Sequence, residues 1–243
     1  MKLFITDTYT ELSQQAAEDL VQLTANKNRQ VVCTASGDTP AGLYKALFDK
    51  VKIKEADISD WYFLSLDEWV GMNGNDQGSC RFHLNNQLLN PLRVASEKII
   101  FFDGKASDLQ HECDKIENFI QRTGPIDVTI LGLGLNGHVG MNEPDTSITK
   151  RSHISKLDPL TAQTGQKYFT SETPLSEGIT LGLANLMESK HILLLVSGAK
   201  KAAIVKQVLY GEVSEKIPGS LLHNHPGLRV YLDKDAAQLL QST

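Results

Sequence analysis

The residues best placed to do chemistry lie between positions 130 and 144, which read I-L-G-L-G-L-N-G-H-V-G-M-N-E-P. A histidine side chain can act as an acid or a base, which makes His138 the first candidate. Glu143 lies five residues further on, just before Pro144, and Asn136 lies two residues before the histidine. Gly132, Gly134, Gly137 and Gly140 allow sharp turns and close approach to a ligand. An apolar run at 127–131 precedes them, so the loop leaves the carboxyl end of a strand, where open α/β sheets bind ligands. Taken singly, a glycine pair is an ordinary turn and a loop histidine an ordinary solvated side chain. Together within fifteen residues they point to proton transfer. The spacing of Gly132, Gly134 and Gly137 also fits a dinucleotide fingerprint. That fingerprint opens a helix, whereas this loop runs on to Pro144 without helical pattern, so the reading is rejected.

Two further stretches supply partner groups. Ser36-Gly37-Asp38-Thr39 joins a buried apolar run at 30–34 to a helix beginning near residue 41. Unpaired N–H groups and the helix dipole make such a turn a phosphate site, with the Ser36 and Thr39 hydroxyls as extra donors. Asp38 is a physical objection, because its carboxylate would have to point away while its N–H served. Lys200, at the start of a helix after Ser197-Gly198, could supply a countercharge, although a lysine there alone reads as surface. Asp67 and Glu68 end an apolar strand at 61–66, and both are candidates for a carboxylate at the sheet edge. Neither H-x-x-x-H nor C-x-x-C is present, so no metal spacing emerges. A G-x-S-x-G nucleophile turn is also missing. The set reads as cofactor-free acid–base machinery for a small phosphorylated molecule.

These groups need a scaffold. Strand patterns at 2–6, 30–34, 61–66, 99–102, 127–131, 191–197 and 228–232 alternate with helical patterns. The helices fall at 10–26, from 41, and at 79–90, 107–122, 179–187, 198–210, 218–225 and 233–241. That alternation implies an α/β fold with a mostly parallel sheet and helices on both faces. Residues 145–178 show no clear strand and are rich in Ser, Thr, Lys and Gln, which predicts a polar cap or surface excursion. Residues 1–243 read as a single domain. The net charge of −5 argues against nucleic acid or an anionic membrane surface as partner. Three cysteines without C-x-x-C fit a reducing compartment. With no signal-peptide pattern and no apolar run long enough for a bilayer, a soluble cytoplasmic protein is expected. The sequence leaves room for a homo-oligomer.

The segments S-G-D-T-P, L-D-E-W-V-G, L-G-L-G-L-N-G-H-V-G-M-N-E-P and S-G-A-K-K occur in that order within residues 30–232. This set resembles the glucosamine-6-phosphate deaminase/isomerase family. L-D-E-W-V, G-S-C at 78–80, H-I-S-K-L-D from His153 and G-I-T-L-G-L from Gly178 are similar to its galactosamine-6-phosphate isomerase branch. The resemblance implies a Rossmann-like fold. It also implies conversion of a hexosamine 6-phosphate to a ketohexose 6-phosphate with release of ammonia, without a cofactor. On the same ground His138 would open the sugar ring, with Glu143 in its proton relay, and Asp67 would move the proton between C2 and C1. Ser36, Gly37, Thr39 and Lys200 would hold the phosphate.

Three positions depart from the family pattern. Asn136 stands where the best-described members have Asp; it cannot take up a proton, but it can hold the imidazole tautomer. Lys167 stands where the family sets an arginine on the phosphate, and offers a point charge in place of a bidentate fork. His153 and Ser155 replace basic residues of allosterically regulated members, so activation by an N-acetylated sugar phosphate is not expected. A 6-phosphogluconolactonase-like hydrolase is the rival reading. That family resembles G-x-D-G-H-T-A-S-L-F at the histidine, and Glu143 in N-E-P separates the two. A sugar-phosphate-binding module without catalysis is the other alternative, supported by Asn136 and Asp38.

Overall fold

The central strands, at Gln30–Thr34, Trp61–Ser65, Val128–Leu131 and His191–Val196, are buried on both faces, because helices cover both. A computed structural model describes residues 1–25 and 29–240. The first half holds β1 (Lys2–Thr6), α1 (Tyr9–Thr24), β2 (Gln30–Thr34), α2 (Asp38–Lys52), β3 (Trp61–Ser65), β4 (Asp67–Trp69), α3 (Cys80–Leu84), β5 (Ile99–Ile100) and α4 (Leu109–Thr123). The second half holds β6 (Val128–Leu131), β7 (His153–Lys156), α5 (Pro159–Gly165), β8 (Glu177–Thr180), α6 (Leu183–Met187), β9 (His191–Val196), α7 (Ala202–Tyr210), α8 (Pro218–Leu221), β10 (Leu228–Asp233) and α9 (Lys234–Ala237). The helices expected at 10–26 and 233–241 reach residues 26 and 241, which lie outside the described residues.

Seven strands form one parallel sheet in the order β1-β10-β9-β6-β2-β3-β5. Alternation along each strand splits its side chains between two apolar layers. Val31 and Cys33 join Ile192, Leu194 and the α4 and α7 residues Ile116 and Val205. Val32 joins Leu193, Leu195 and the α1 and α2 residues Leu12, Leu20, Leu43 and Leu47. Each fully buried leucine stabilises by roughly 1.5–3 kcal/mol. Truncating Leu193, which has no exposed surface, to alanine would cost about 2–5 kcal/mol. The fold is therefore the expected α/β sheet with helices on both faces.

The strand order reverses at β2. Chain order runs outward through β3 and β5 on one side, and through β6, β9 and β10 on the other. Loops leaving the carboxyl ends of β2 and β6 therefore part at this switch point and open a crevice.

Residues 145–178 differ from expectation. They contain β7, α5 and the start of β8, and β4, β8 and β7 form a second, antiparallel sheet. Leu66 links the two sheets: its N–H donates to the Thr34 carbonyl at 3.1 Å, and its own carbonyl accepts from Leu181 at 2.9 Å. Trp69, Cys80, Met141 and Leu157 form a separate small core under this segment, with Phe169 and Leu175 against it. Two shorter corrections accompany this one. The helix expected at 179–187 is strand up to Thr180 and helical only from Leu183, and the helix expected at 79–90 loosens into a π turn over Asn85–Leu89.

Candidate active site

A cleft of about 190 Å³ opens at the switch point, sized for a small molecule. Its floor is the turn from β2 into α2. Gly37 caps that helix with φ +112°, and a Cβ there would lie 2.8 Å from the Tyr168 hydroxyl, so glycine is required twice over. Ser36, Gly37 and Thr39 line the cleft, at the N-terminus of a fifteen-residue helix whose dipole favours an anion. The Asp38 side chain is exposed at the edge of the cleft, and its carboxylate meets the Lys167 ammonium at 2.6 Å. The ion pair offsets the negative charge that Asp38 brings to this edge. The Asp38 N–H meanwhile donates to Tyr168.

The countercharge is not where it was expected. Lys200 is exposed and does not line the cleft, whereas Lys201 does. Both sit in the turn Ala199–Lys201, where consecutive side chains point about 120° apart, so a step of one residue decides which ammonium enters. The Lys201 ammonium donates to the Leu133 carbonyl. Burial, reinforced by the charge of Lys167, lowers its pKa to about 8.

Asp67 and Glu68 are told apart by strand alternation. Glu68 faces α3, and its carboxylate accepts from the backbone N–H groups of Trp69 at 2.8 Å, Cys80 at 2.9 Å and Arg81 at 2.9 Å. With Ser79 bonded to the Phe82 N–H, it caps that helix. Asp67 faces the cleft instead. Burial and the neighbouring charge of Glu68 push its pKa up to about 7, against a thiol hydrogen bond from Cys80. A carboxylate with such a pKa can act as a base near neutral pH. Cys80 also lines the cleft, and burial together with Asp67 and Glu68 drives its thiol pKa well upward.

His138 stands on the loop after β6. Gly134 makes room for its ring, because a Cβ at that position would fall 2.4 Å from the imidazole. The imidazole Nδ1 lies 2.7 Å from Asn136 Oδ1, 3.0 Å from Thr161 Oγ1 and 3.5 Å from Glu143 Oε2. The Asn136 amide nitrogen donates to Glu143 Oε2 at 2.9 Å. With the amide oxygen on the imidazole and its nitrogen on the glutamate, Nδ1 carries the proton and Nε2 keeps a free lone pair. Burial opposes the charge on Glu143. Hydrogen bonds from His138, Thr161 and Asn136, with the histidine's charge, outweigh it and hold the carboxyl below its ordinary pKa.

Ser36, Gly37, Thr39, Asp67, Asn136, His138 and Lys167 thus border one cleft, with Glu143 behind the histidine. Sequence reasoning missed Lys201, Thr161 and Tyr168, which also line it. Lys201 was legible as the second lysine of the K-K pair. Thr161 and Tyr168 lie in the polar segment and carried no local signal. Among the described residues no cluster of His, Cys, Asp or Glu gathers to hold a metal ion, and no helix is long and apolar enough to cross a membrane.

The model of the glucosamine-6-phosphate isomerases/6-phosphogluconolactonase family matches residues 6–231. A glucosamine-6-phosphate deaminase of Clostridium tetani is 39% identical over 241 residues, covering 99% of this chain and 100% of the relative. One of Thermoanaerobacter pseudethanolicus is 37% identical over 242 residues, covering 99% and 95%. A solved structure described as a monomeric glucosamine-6-phosphate deaminase superposes with TM-score 0.95 at 34% identity, covering 98% of this chain and all of that one. The 6-phosphogluconolactonase of Trypanosoma brucei, 19% identical with TM-score 0.80 over 99% and 98% of the two chains, shares the fold.

Proposed function

Since the chain belongs to the glucosamine-6-phosphate isomerase/6-phosphogluconolactonase family, we propose that its cleft deaminates a hexosamine 6-phosphate to a ketohexose 6-phosphate and ammonia. One observation carries this reading: a desolvated carboxylate, Asp67, and an oriented imidazole, His138, border the same cleft as a helix N-terminus that can hold a phosphate. In this scheme Ser36, Gly37, Thr39, Lys201 and Lys167 bind the phosphate and fix the sugar's orientation. The free Nε2 of His138 takes the anomeric hydroxyl proton and returns one to the ring oxygen, which opens the ring. Asp67 then removes the C2 proton and delivers it to C1. The C2 imine that results is hydrolysed by water to the ketone and ammonia. General acid–base steps of this kind contribute about 10²–10⁴-fold each.

The finer proposal is galactosamine 6-phosphate as the preferred epimer. It is supported by Trp69 and Cys80, which belong to the L-D-E-W-V and G-S-C segments and both line the cleft. Ammonia release should be measured side by side on glucosamine 6-phosphate and galactosamine 6-phosphate, with 6-phosphogluconolactone as control. Turnover of the galacto epimer at the higher kcat/KM supports the finer proposal. The reverse order removes it and leaves the deaminase reading. Hydrolysis of the lactone alone overturns both.

A further inference from the structure

Glu143 opens a strained turn. The Thr146 N–H donates to the Glu143 carbonyl at 3.0 Å, with Pro144 second in the turn and Asp145 third at φ +69°. Those are the marks of a type II turn, whose third place favours glycine. An aspartate in the left-handed region persists only where its surroundings fix it. One residue outside the cleft wall, Glu215, supplies two such bonds. Its carbonyl accepts from the Asp145 N–H at 2.8 Å, and its carboxylate Oε1 accepts from the Ile148 N–H, also at 2.8 Å. The segment around Glu215 is itself tied down. The buried Ser220 hydroxyl accepts from the Ser214 N–H at 2.9 Å and donates to the Ser214 carbonyl at 3.2 Å. The same segment meets the other end of the loop, where the Gly219 N–H donates to the Gly137 carbonyl at 2.8 Å. Ile217 lies so close to Gly137 that a Cβ there would fall 2.6 Å from its methyl group. Residues 214–220 thus grip the loop just before His138 and just after Glu143.

We propose that Glu215 is a positioning residue that holds the Glu143 carboxylate against His138 and Asn136 from behind the cleft. This role rests on the deaminase reading and adds to it a residue outside the cleft wall. Glu143 Oε2 lies 2.9 Å from the Asn136 amide nitrogen and 3.5 Å from His138 Nδ1. The second distance already exceeds the span of about 2.7–3.2 Å for an N–H···O bond, so the contact has no slack to lose. Without the Glu215 carboxylate, the Ile148 N–H is released and the turn relaxes out of its left-handed conformation. Glu143 moves with it, because its own carbonyl closes that turn.

Three variants separate the placement of Glu143 from general support of the fold. Glu215→Ala removes the acceptor, Glu215→Asp draws it back by a methylene while keeping the charge, and Glu215→Gln keeps an oxygen at the same reach. In ammonia-release assays the alanine and aspartate variants should lower kcat by about tenfold with KM within about twofold, and the glutamine variant should stay within about threefold of the parent. The aspartate variant carries the test where the alanine variant fails to fold. In a Glu143→Gln background Glu215→Ala should change kcat by less than about twofold, because it acts through the group already removed. Parent-like kcat in the alanine and aspartate variants, a glutamine variant as slow as they are, or an undiminished loss in the Glu143→Gln background overturns the proposal. A further readout does not depend on turnover. With ¹⁵N-labelled histidine, the ring resonances of His138, assigned by their loss in His138→Gln, should move in Glu215→Ala and hold their positions in Glu215→Gln. Unmoved resonances in Glu215→Ala overturn the placement. A parent that releases no ammonia while the resonances respond as expected overturns the deaminase reading and leaves the placement standing.

Discussion

On one side of the cleft Asp67 stands where β3 runs into β4, buried beside Glu68, with a thiol as its hydrogen-bond donor. On the other side Glu143 is also buried, but an imidazole, a hydroxyl and an amide donate to it. Burial pushes both carboxyls toward the neutral form. Only the second has donors enough to reverse that push. The first becomes a base with a pKa of about 7, and the second remains an anion across the whole range in which the first titrates. Two acids driven apart by their surroundings let one cleft hold a carboxyl that titrates near neutral pH and a permanent anion beside a histidine.

Asp67→Asn tests the desolvated side and should have the largest effect, a loss of about 10³-fold in kcat. In the parent the rate should fall as pH drops below about 7, because the base must be ionised. The same substitution should raise stability. The folded protein holds the Asp67 proton up to about pH 7, whereas the unfolded chain releases it near the ordinary 3.8. Between those values only the native state carries the proton, so parent stability declines as pH rises through this window. Urea denaturation should therefore find Asp67→Asn more stable than the parent by roughly 1–4 kcal/mol at pH 8, with the gap closing toward pH 4.

Glu143→Gln tests the donor-rich side. It should lower kcat by about 10²-fold while the acid limb of the pH–rate profile stays near 7. A limb that moves with this variant would assign the titration to the relay and erase the contrast. Lys201 shows the same burial acting on a cation. Lys201→Met should raise KM by about tenfold and Lys200→Met should leave it within about twofold. In the parent, KM should climb above about pH 8 as the Lys201 charge is lost. The smallest effect belongs to Glu68→Gln. It should cost about 1–3 kcal/mol, because an amide nitrogen then faces a backbone N–H of α3. It should also move the acid limb to lower pH, because the charge of Glu68 is one of the two causes that raise Asp67.

The sheet and its edge could be read from the chain because their signals are local. Apolar five-residue runs such as 30–34 and 61–65, too short for a helix and bounded by turn residues, read as buried strands, and the loops after them follow directly. The small sheet could not be read in that way. β7 and β8 are four residues each and partly polar. They become strands through pairing with each other, and β8 pairs with β4 as well. Asp67 and Glu68 looked alike as neighbours, and separating them required knowing that the backbone N–H groups at the start of α3 meet only Glu68. Lys200 and Lys201 posed the same difficulty, since the sequence gives their order but not the rotation of the turn. Thr161 lies 23 residues from His138, and only the return of the chain over the cleft brings its hydroxyl to the ring.

The thiol beside Asp67 has a consequence for how the protein meets electrophiles. Cys80 lies on the cleft wall, where a reactive cysteine would invite alkylation or peroxide damage. Its neighbours are two carboxylates in a buried setting, and they make the thiolate scarce. Alkylating agents and oxidants react with the thiolate form. The burial that raises the Asp67 pKa therefore also keeps the adjacent sulfur in its less reactive thiol form. Covalent inhibitors aimed at this cleft should find a poor nucleophile there, and the protein should tolerate air without losing its site.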